Sequence, residues 1–296
     1  RERRISSSDK LVNRWTEDLR RYASQLPAPQ RLGALRGKTL FLSQYGRKQV
    51  CYSPDLWPAV AQALGDGFRT PVVTMLVGED SWVTHVDNNI RDEFDVTRCM
   101  FSAGNITEKL RVASFNCSGE TVVDLYAGIG YFTIPFLVHA GASHVHACEW
   151  NPDAVEALQR NLGNNRFGCF FQLPLCNLAD RVNLGLIPSS ADGWPVACRL
   201  LRKRTGGMLH IHQNVTAPHH ITDCDTSSGD PEEVSPKGSD REVWGAWTKD
   251  TAIHIASLLQ DITGGPCRTG VQHIEHVKSY TPHIHHIVLF LECRPL

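Results

Sequence analysis

The residues with the clearest chemistry are a small-residue turn and an acid that follows it. An apolar run over 121–125 ends near Gly128 and Gly130, and a second apolar run over 144–148 ends at Glu149. Because glycine has no Cβ, the backbone of such a turn can approach a ligand closely. An acid that closes the second strand can accept hydrogen bonds from both hydroxyls of a ribose. The pattern therefore predicts an adenosine site on a doubly wound sheet.

The positions after the turn argue against a dinucleotide. The dinucleotide fingerprint needs a third glycine for close helix–strand packing over a pyrophosphate, and residues 131–133 (Tyr-Phe-Thr) contain none. The run Asp124-Leu-Tyr-Ala-Gly-Ile-Gly-Tyr-Phe132 resembles motif I of class I S-adenosylmethionine enzymes. That resemblance implies that Asp124 and both glycines hold the cofactor, and that Glu149 is the ribose acid. A strand, turn and helix without any ligand is the alternative interpretation.

Composition indicates a cytoplasmic protein without membrane spans. The chain has 296 residues, 42% of them hydrophobic, and no apolar run approaches the length of a membrane span. Its ten cysteines form no C-x-x-C pair, which is typical of reduced thiols rather than of a disulfide framework. Histidines cluster near 210–220 and 273–286, but they lack cysteine partners at the spacing of a zinc site. We therefore expect no bound metal.

Charge is distributed unevenly along the chain. The net charge is −1, yet residues 1–48 carry twelve Lys and Arg against four acids. A basic N-terminal portion on a nearly neutral protein suits a phosphate-rich partner. A solvated basic arm without a partner explains the same composition.

The chain predicts a smaller N-terminal α+β domain over 1–110 and a catalytic α/β domain over 111–296. In the first, a β-rich region covers 71–96, and the capping-box pattern from Asn105 to Glu108 predicts a helix that begins near Ile106. In the second, strands and helices alternate, which is typical of a parallel sheet with crossover helices. Strands are expected at 121–126, 144–149, 181–187 and 207–215, and helices at 131–140, 152–162, 193–203 and 243–262.

The last two predicted strands decide the type of sheet. The runs over 271–280 and 287–293 are too close for a parallel crossover, which needs a dozen or more residues. They must form a hairpin, so the last strand is antiparallel. An otherwise parallel Rossmann-like sheet with this ending is similar to the class I S-adenosylmethionine-dependent fold.

Longer motifs resemble one enzyme family. The segments over 100–111, 183–190 (Asn-Leu-Gly-Leu-Ile-Pro-Ser-Ser) and 209–215 (Leu-His-Ile-His-Gln-Asn-Val), together with motif I, look like the tRNA wybutosine-synthesizing protein 2 family. The resemblance implies transfer of the 3-amino-3-carboxypropyl group of S-adenosylmethionine to C7 of 4-demethylwyosine at position 37 of phenylalanine tRNA. It also implies that the anticodon loop is the partner, and we expect a monomer. A tRNA guanine-37 N1-methyltransferase and an inactive tRNA-binding remnant are the alternatives.

The resemblance also assigns roles to four polar residues. Ser102 and Lys109 stand where the family holds the methionine arm of the cofactor. Asn183 stands at the end of the fourth strand, facing the target base, and Arg111 is a candidate for orienting that base or a phosphate. Without the resemblance, Lys109 is equally an exposed helix lysine, Ser102 an ordinary loop hydroxyl, Asn183 a residue bonding its own turn, and Arg111 a helix cap.

One region departs from the family pattern. Between the helix at 152–162 and the strand at 181–187, the chain is too short by about one strand and a turn. Asn164 and Asn165 could belong to the segment that borders the adenine, with the preceding strand missing. Alternatively, residues 168–173 are a degraded third strand. In the first case Asn164 stands where the family has an acid, so we expect weaker recognition of the adenine amino group.

Overall fold

The computed structural model describes residues 70–71, 73, 80–167, 176–217, 238–281 and 283–296. The basic segment 1–48, the predicted strand at 72–77 and the proposed remnant of a third strand at 168–173 lie outside the described residues. Two compact units are distinguished: residues 1–84 with 93–104, and residues 85–92 with 105–296. The predicted domain boundary at 110/111 would divide a helix that belongs wholly to the second unit.

Two short strands, β1 (Trp82–Asp87) and β2 (Ile90–Asp95), form a two-stranded sheet. The unit boundary runs through this hairpin. Within the first unit, the rings of Phe94 and Phe101 stack with their centroids 4.7 Å apart. Asp95 accepts hydrogen bonds from the backbone and hydroxyl of Thr97. The tip, residues 85–92, belongs to the second unit and turns through Asn88 and Asn89, both with positive φ.

The second unit is built on one six-stranded sheet, in the order β4-β3-β5-β6-β8-β7. The four parallel strands match the predicted positions, although three of them are shorter than expected. Helices follow the strands as crossovers, and helix α1 precedes them. The strands are β3 (Thr121–Asp124), β4 (His144–Ala147), β5 (Arg181–Leu184) and β6 (Gly207–Thr216). The helices are α1 (Ile106–Ala113), α2 (Thr133–Val138), α3 (Pro152–Asn164), α4 (Trp194–Leu200) and α5 (Gly238–Thr263).

The predicted terminal hairpin is confirmed. Strand β7 (Cys267–Thr281) pairs antiparallel with β8 (Ile284–Pro295), and β8 pairs antiparallel with β6. Only residues 282 and 283 separate the two strands. Both strands extend further than their hydrophobic runs. Strand β7 lies at the edge of the sheet, where its polar side chains stay in water.

The sheet buries a separate apolar layer on each face. On one face, Val123, Val182 and Leu209 pack in a cluster with side chains of α4 and α5. On the other face, Val122 packs in a cluster with Val112 of α1 and with Phe132 and Phe136 beside and within α2. A fully buried aliphatic or aromatic side chain contributes about 1.5–3 kcal/mol, so these two layers fix the strand ends that carry the polar residues.

One local detail corrects the sequence interpretation. Helix α1 begins at Ile106 as predicted, but Asn105 makes no side-chain capping hydrogen bond, so the capping box is wrong. The carboxylate of Glu108 instead binds Arg111. Among the described residues, β4 is the edge strand, and no third crossover strand pairs with it. No helix in this part of the chain is long and apolar enough to cross a membrane.

Candidate functional site

The glycine turn follows the carboxyl end of β3. Its backbone conformation is one that residues other than glycine adopt only under strain. Gly128 has φ +55° and Gly130 has φ +100°, both in the region that favours glycine. A Cβ on Gly130 would lie 2.9 Å from Cδ1 of Ile134, so this glycine is also required by packing. A Cβ on Gly128 would meet nothing within 4 Å. The turn is therefore packed tightly at Gly130 and open at Gly128, where a ligand can approach.

Asp124 fastens the strand beneath the turn. Its Oδ2 accepts a hydrogen bond from the hydroxyl of Thr133 at 2.8 Å, and its Oδ1 accepts one from Nδ2 of Asn183 at 2.9 Å. The side chain is fully buried, and this burial raises the pKa of Asp124 although its hydrogen bonds oppose the shift. Asp124 thus connects β3 with α2 and β5. Both of its carboxylate oxygens are occupied by donors of the protein.

Glu149 lies against the turn, as the sequence predicted. Its Oε2 accepts the backbone N–H of Gly128 at 2.8 Å, and its Oε1 accepts the N–H groups of Trp150 and Asn151 at 2.9 Å each. The side chain remains partly exposed. Three backbone donors hold the carboxylate in place, and each carboxylate oxygen has more than one lone pair. Its remaining acceptor capacity is available for ribose hydroxyls.

Trp150 is a candidate binding residue that sequence reasoning missed. It directly follows Glu149, and 70% of it is exposed. An exposed indole beside a fixed carboxylate offers a flat apolar surface on which a purine can stack. The sequence contains an indication of this role. Trp150 stands between an acid and the asparagine that caps helix α3, a position at which a core residue is not expected. Asn151 caps that helix by accepting the N–H of Asp153 at 3.0 Å.

Lys109 is buried on α1 and forms ion pairs with two carboxylates of the hairpin tip. Only 2% of its side chain is exposed, and Nζ lies 3.0 Å from Oδ2 of Asp87 and 3.3 Å from Oδ2 of Asp92. Nζ also lies 4.7 Å from the ring centroid of Tyr131, the residue after Gly130. Lys109 is therefore adjacent to the glycine turn, and the alternative of an exposed helix lysine is wrong.

The two aspartates differ in their response to burial. Burial raises the pKa of Asp92 more than the attraction of Lys109 lowers it. Burial also acts to raise the pKa of Asp87, but hydrogen bonds from His85 and Lys109 lower it by more. Each aspartate has a buried Oδ1 without a hydrogen-bond partner in the described part of the chain. Of the two aspartates, Asp92 is thus the one that more readily takes up a proton.

The guanidinium of Arg111 is bound by other side chains of the protein. Its Nε and Nη2 donate to the two carboxylate oxygens of Glu108 at 2.8 and 2.7 Å, and Nε lies 3.6 Å from Glu275 of β7. Its guanidinium lies 3.9 Å from the ring centroid of Phe290 on β8. Burial raises the pKa of Glu108 to about 7, against the opposing effect of Arg111. These contacts fix α1 on the sheet and occupy most of the fork that the predicted role in base orientation requires.

Asn183 lies at the end of β5, level with Asp124 and with His210 of β6. It is fully buried, its Nδ2 donates to Asp124, and its Oδ1 has no partner among the described residues. Gly185 follows closely, since a Cβ there would lie 3.2 Å from Nδ2 of Asn183 and 3.3 Å from the ring of Phe132. The amide oxygen of Asn183 is therefore an unused acceptor among the described residues. Gly185, which has no side chain, packs directly against the amide group.

The remaining predicted site residues are Asn164, Asn165 and Ser102. Asn165 follows the last residue of α3, Asn164, and its side chain binds the backbone of Arg91 at 2.9 and 3.3 Å. Helix α3 has 13 residues, so these asparagines lie at its C-terminal end, about 18 Å along its axis from Pro152. One turn earlier, Asn161 donates to the carbonyl of Ile129 in the glycine turn. The place of Asn164 and Asn165 beside the adenine stays a prediction. Ser102 belongs to the first unit, where it is partly buried.

Comparisons with known proteins agree on one family. The family model described as TRM5/TYW2 methyltransferase domain matches residues 83–224. A tRNA wybutosine-synthesizing protein 2 homolog of Danio rerio is 60% identical over 272 residues, covering 82% of this chain and 65% of that protein. The Mus musculus homolog is 48% identical over 335 residues, covering 96% of this chain and 75% of its own length. That alignment is longer than the 296-residue chain, so the relative has residues without a counterpart here.

Solved structures agree on the fold. M. jannaschii TYW2 in complex with AdoMet superposes with a TM-score of 0.58 at 24% identity, covering 75% of this chain and 90% of that one. P. horikoshii TYW2 in complex with MeSAdo superposes with a TM-score of 0.55 at 25% identity, covering 81% of this chain and 85% of that one. The Rossmann-like class predicted from the strand pattern is confirmed.

Proposed function

Because this chain belongs to the tRNA wybutosine-synthesizing protein 2 family, we propose that it is an S-adenosylmethionine-dependent tRNA aminocarboxypropyltransferase. Its substrate is 4-demethylwyosine at position 37 of tRNA-Phe, which accepts the 3-amino-3-carboxypropyl group at C7. The observation that carries the proposal is the contact between the open glycine turn and the ribose acid, in which the N–H of Gly128 meets Glu149 at 2.8 Å.

The residues at the turn fit the nucleoside half of this cofactor. The space above Gly128 admits a ribose, and Glu149 accepts its hydroxyls. Trp150 is exposed on the same segment, where it stacks on the adenine. The P. horikoshii neighbour was solved with MeSAdo, which supports a nucleoside site in this fold.

The amino-acid arm sets which group is transferred. A sulfonium activates each attached carbon, and the carbon held in line with the nucleophile reacts. In the proposal, Lys109 binds the methionine carboxylate, since it adjoins the turn through Tyr131. Lys109 already faces Asp87 and Asp92, so a third carboxylate needs one of them protonated. The raised pKa of Asp92 supports that exchange. Ser102 keeps the role in holding the same arm that the resemblance implies.

Asn183 is the residue proposed to read the target base. Its Nδ2 is fixed by Asp124, so its unpartnered Oδ1 is the atom left to accept a hydrogen bond from a base edge. The close approach of Gly185 leaves no room for a larger residue between Asn183 and Phe132. The N1-methyltransferases resemble this strand end but read Asn-Leu-Pro, so the glycine favours aminocarboxypropyl transfer.

The other predictions enter the proposal on the same basis. Residues 1–110 position the tRNA and the amino-acid arm of the cofactor, and residues 111–296 form the catalytic domain that binds S-adenosylmethionine. The protein acts as a monomer in the cytoplasm on the anticodon loop. Arg111 contributes by holding α1 against β8 rather than by contacting the base.

The deciding experiment uses two labelled cofactors. S-adenosylmethionine labelled in the carboxyl carbon or in the methyl group is incubated with tRNA from cells blocked after 4-demethylwyosine formation. Carboxyl label in tRNA, with methyl label released in methylthioadenosine, is the expected result. Methyl label alone in tRNA indicates the N1-methyltransferase instead. Glu149→Gln provides the site control, because it keeps the shape but weakens ribose binding, so the KM for the cofactor rises.

A separate measurement addresses the inactive alternative. Titration calorimetry of the wild-type chain with S-adenosylmethionine reports binding without requiring turnover. Saturable binding supports an enzyme. No heat at millimolar cofactor, from a chain that unfolds cooperatively, indicates a remnant.

A further inference from the structure

Six basic side chains gather at the edge of the sheet where the parallel strands begin. We call this set the basic turn surface. It consists of Arg199 at the end of α4, Arg202, Lys203 and Arg204 in the following turn, Arg268 on β7 and Arg294 on β8.

Backbone contacts hold the three segments together. The turn closes through a hydrogen bond from the N–H of Gly206 to the carbonyl of Arg202 at 2.8 Å. The side-chain oxygen of Asn177 accepts the backbone N–H of Lys203 at 2.6 Å. The backbone N–H of Asn177 donates to the carbonyl of Arg199 at 3.1 Å. These bonds place Arg199 and the turn side by side.

The two C-terminal strands add to the same surface. Nη1 of Arg294 donates to the carbonyl of Thr205 at 2.5 Å, which joins β8 to the turn. Arg268 is the register partner of Arg294 in the β7–β8 ladder. A Cβ on Gly206 would lie only 1.8 Å from the carbonyl oxygen of Cys293, so glycine is what lets the turn approach β8 so closely.

The charges of this surface are only partly balanced. Arg202 pairs with Asp180 at 2.7 Å, and Arg294 pairs with Glu292 at 3.0 Å. The other four cations form no ion pair within the described residues, and all four are exposed (Arg199, Lys203, Arg204 and Arg268). Like charges placed opposite each other on a ladder, as Arg268 and Arg294 are, are destabilising. An anionic ligand would remove that repulsion.

The surface is separate from the cofactor turn. Gly207 begins β6, and His210, three residues on, lies level with Asn183, so about 10 Å of strand separates the two levels. The glycine turn follows the opposite ends of the strands. Because the two sites lie at opposite edges of the sheet, one RNA molecule would meet them with different nucleotides.

We propose that the basic turn surface binds the phosphate backbone of the RNA substrate, at nucleotides other than the one that reacts. The proposal rests on the proposed function for the identity of the RNA. Backbone contacts of this kind fix register and orientation and carry little sequence information. A turn and two strand ends, without an amphipathic helix, suit a polyphosphate strand better than a lipid surface.

The test is a double charge reversal, Lys203→Glu with Arg204→Glu, in the full chain. Binding of tRNA is measured between 50 and 200 mM salt, where lost phosphate contacts reduce both affinity and its salt dependence. Two lost contacts lower the slope of log K against log salt by about 2 and weaken binding by about tenfold or more. The KM for tRNA rises with kcat retained, and the affinity for S-adenosylmethionine is unchanged. The matched control reverses two exposed cations of α5, Arg241→Glu with Lys249→Glu, which changes the net charge equally.

The outcomes separate this proposal from the proposed function. An unchanged salt slope, or an equal loss in the control pair, overturns the surface as an RNA site, and so does wild-type chain that binds no tRNA. Binding to phosphatidylserine vesicles that disappears only in the Lys203/Arg204 variant, with tRNA binding intact, assigns the surface to membranes instead. If tRNA binding falls as expected but no carboxyl label is transferred by wild-type chain, the surface stands and the proposed reaction fails.

Discussion

Replacing Lys109 with methionine tests how the ion-pair cluster beside the glycine turn contributes to folding. Methionine retains the apolar volume of the stem but removes the ammonium that lies 3.0 Å from Asp87 and 3.3 Å from Asp92. Removing one partner of a buried ion pair leaves an uncompensated charge and typically costs about 3–5 kcal/mol. For a chain of this size, that loss corresponds to a fall in Tm of roughly 6–20 °C.

The pH dependence of the loss distinguishes a buried charge effect from lost packing. Without Lys109, the attraction that opposes the effect of burial is lost, so the pKa of Asp92 rises further and the pKa of Asp87 is no longer lowered by the ammonium. Both carboxylates then take up protons more readily in the folded state as pH falls. A carboxyl whose pKa is raised on folding makes the folded state bind more protons, and stability then increases towards low pH. The difference between wild type and Lys109→Met is therefore largest at pH 8 and shrinks towards pH 5.

Thermal unfolding followed by circular dichroism at both pH values measures this difference. Lys249→Met on α5 is the matched control, because Lys249 is exposed and forms no ion pair in the described part of the chain, so its effect stays within about 0.5 kcal/mol. A loss below about 1 kcal/mol at pH 8 refutes the reasoning, as does an equal loss at both pH values.

Three further predictions follow from single contacts. Gly130→Ala forces alanine to φ +100° and against Ile134. We expect it to lower the free energy of unfolding, measured by chemical denaturation, by about 2–5 kcal/mol. Gly163→Ala, in an open helical position, raises that free energy by about 0.5–1 kcal/mol, and a Gly130→Ala protein more stable than Gly163→Ala would contradict the turn geometry. Trp150→Ala weakens S-adenosylmethionine binding by about 1–3 kcal/mol in calorimetry without lowering Tm, since stacking is lost from a side chain that is 70% exposed; unchanged affinity excludes the stacking role. Glu108→Gln makes Tm depend less on pH. Burial raises the pKa of Glu108 from 4.5 to about 7, so the wild-type protein loses stability as pH rises through that interval, whereas the variant does not. Parallel curves of Tm against pH for the two proteins would contradict this prediction.

The parts of the fold that were predictable depended on spacing along the chain. The antiparallel ending followed from the short gap between two hydrophobic runs, because chain length alone excludes a crossover. The contact between Gly128 and Glu149 followed from the rule that neighbouring parallel strands end at the same edge of the sheet. Both inferences use only how far the backbone reaches, and so neither required knowledge of side-chain packing.

Side-chain partners that are distant in sequence were not predictable in the same way. Lys109 occupies a helix position where local pairing with Glu or Asp was expected, yet its partners are 22 and 17 positions away on a hairpin. The partner of Asn165 was not predictable either, since its side chain binds the backbone of Arg91, 74 positions away in the sequence. Tertiary contacts decided both positions, and one sequence contains no record of such contacts.

The contacts that hold the glycine turn show why a shortened third-strand region is compatible with cofactor binding. Asp124 binds Thr133 and Asn183, and Nδ2 of Asn161 on α3 donates to the carbonyl of Ile129 at 2.9 Å, within the turn itself. Each of these anchors lies on a strand or helix of the described sheet, so the shape of the turn and the position of the ribose acid follow from elements that are present. What a shortened third strand removes is hydrogen bonding to the adenine edge, which contributes selectivity among nucleosides. If Trp150 supplies the proposed stacking surface, which any purine can use, we expect such a chain to retain its affinity for the sulfonium cofactor better than its discrimination between adenine and other bases.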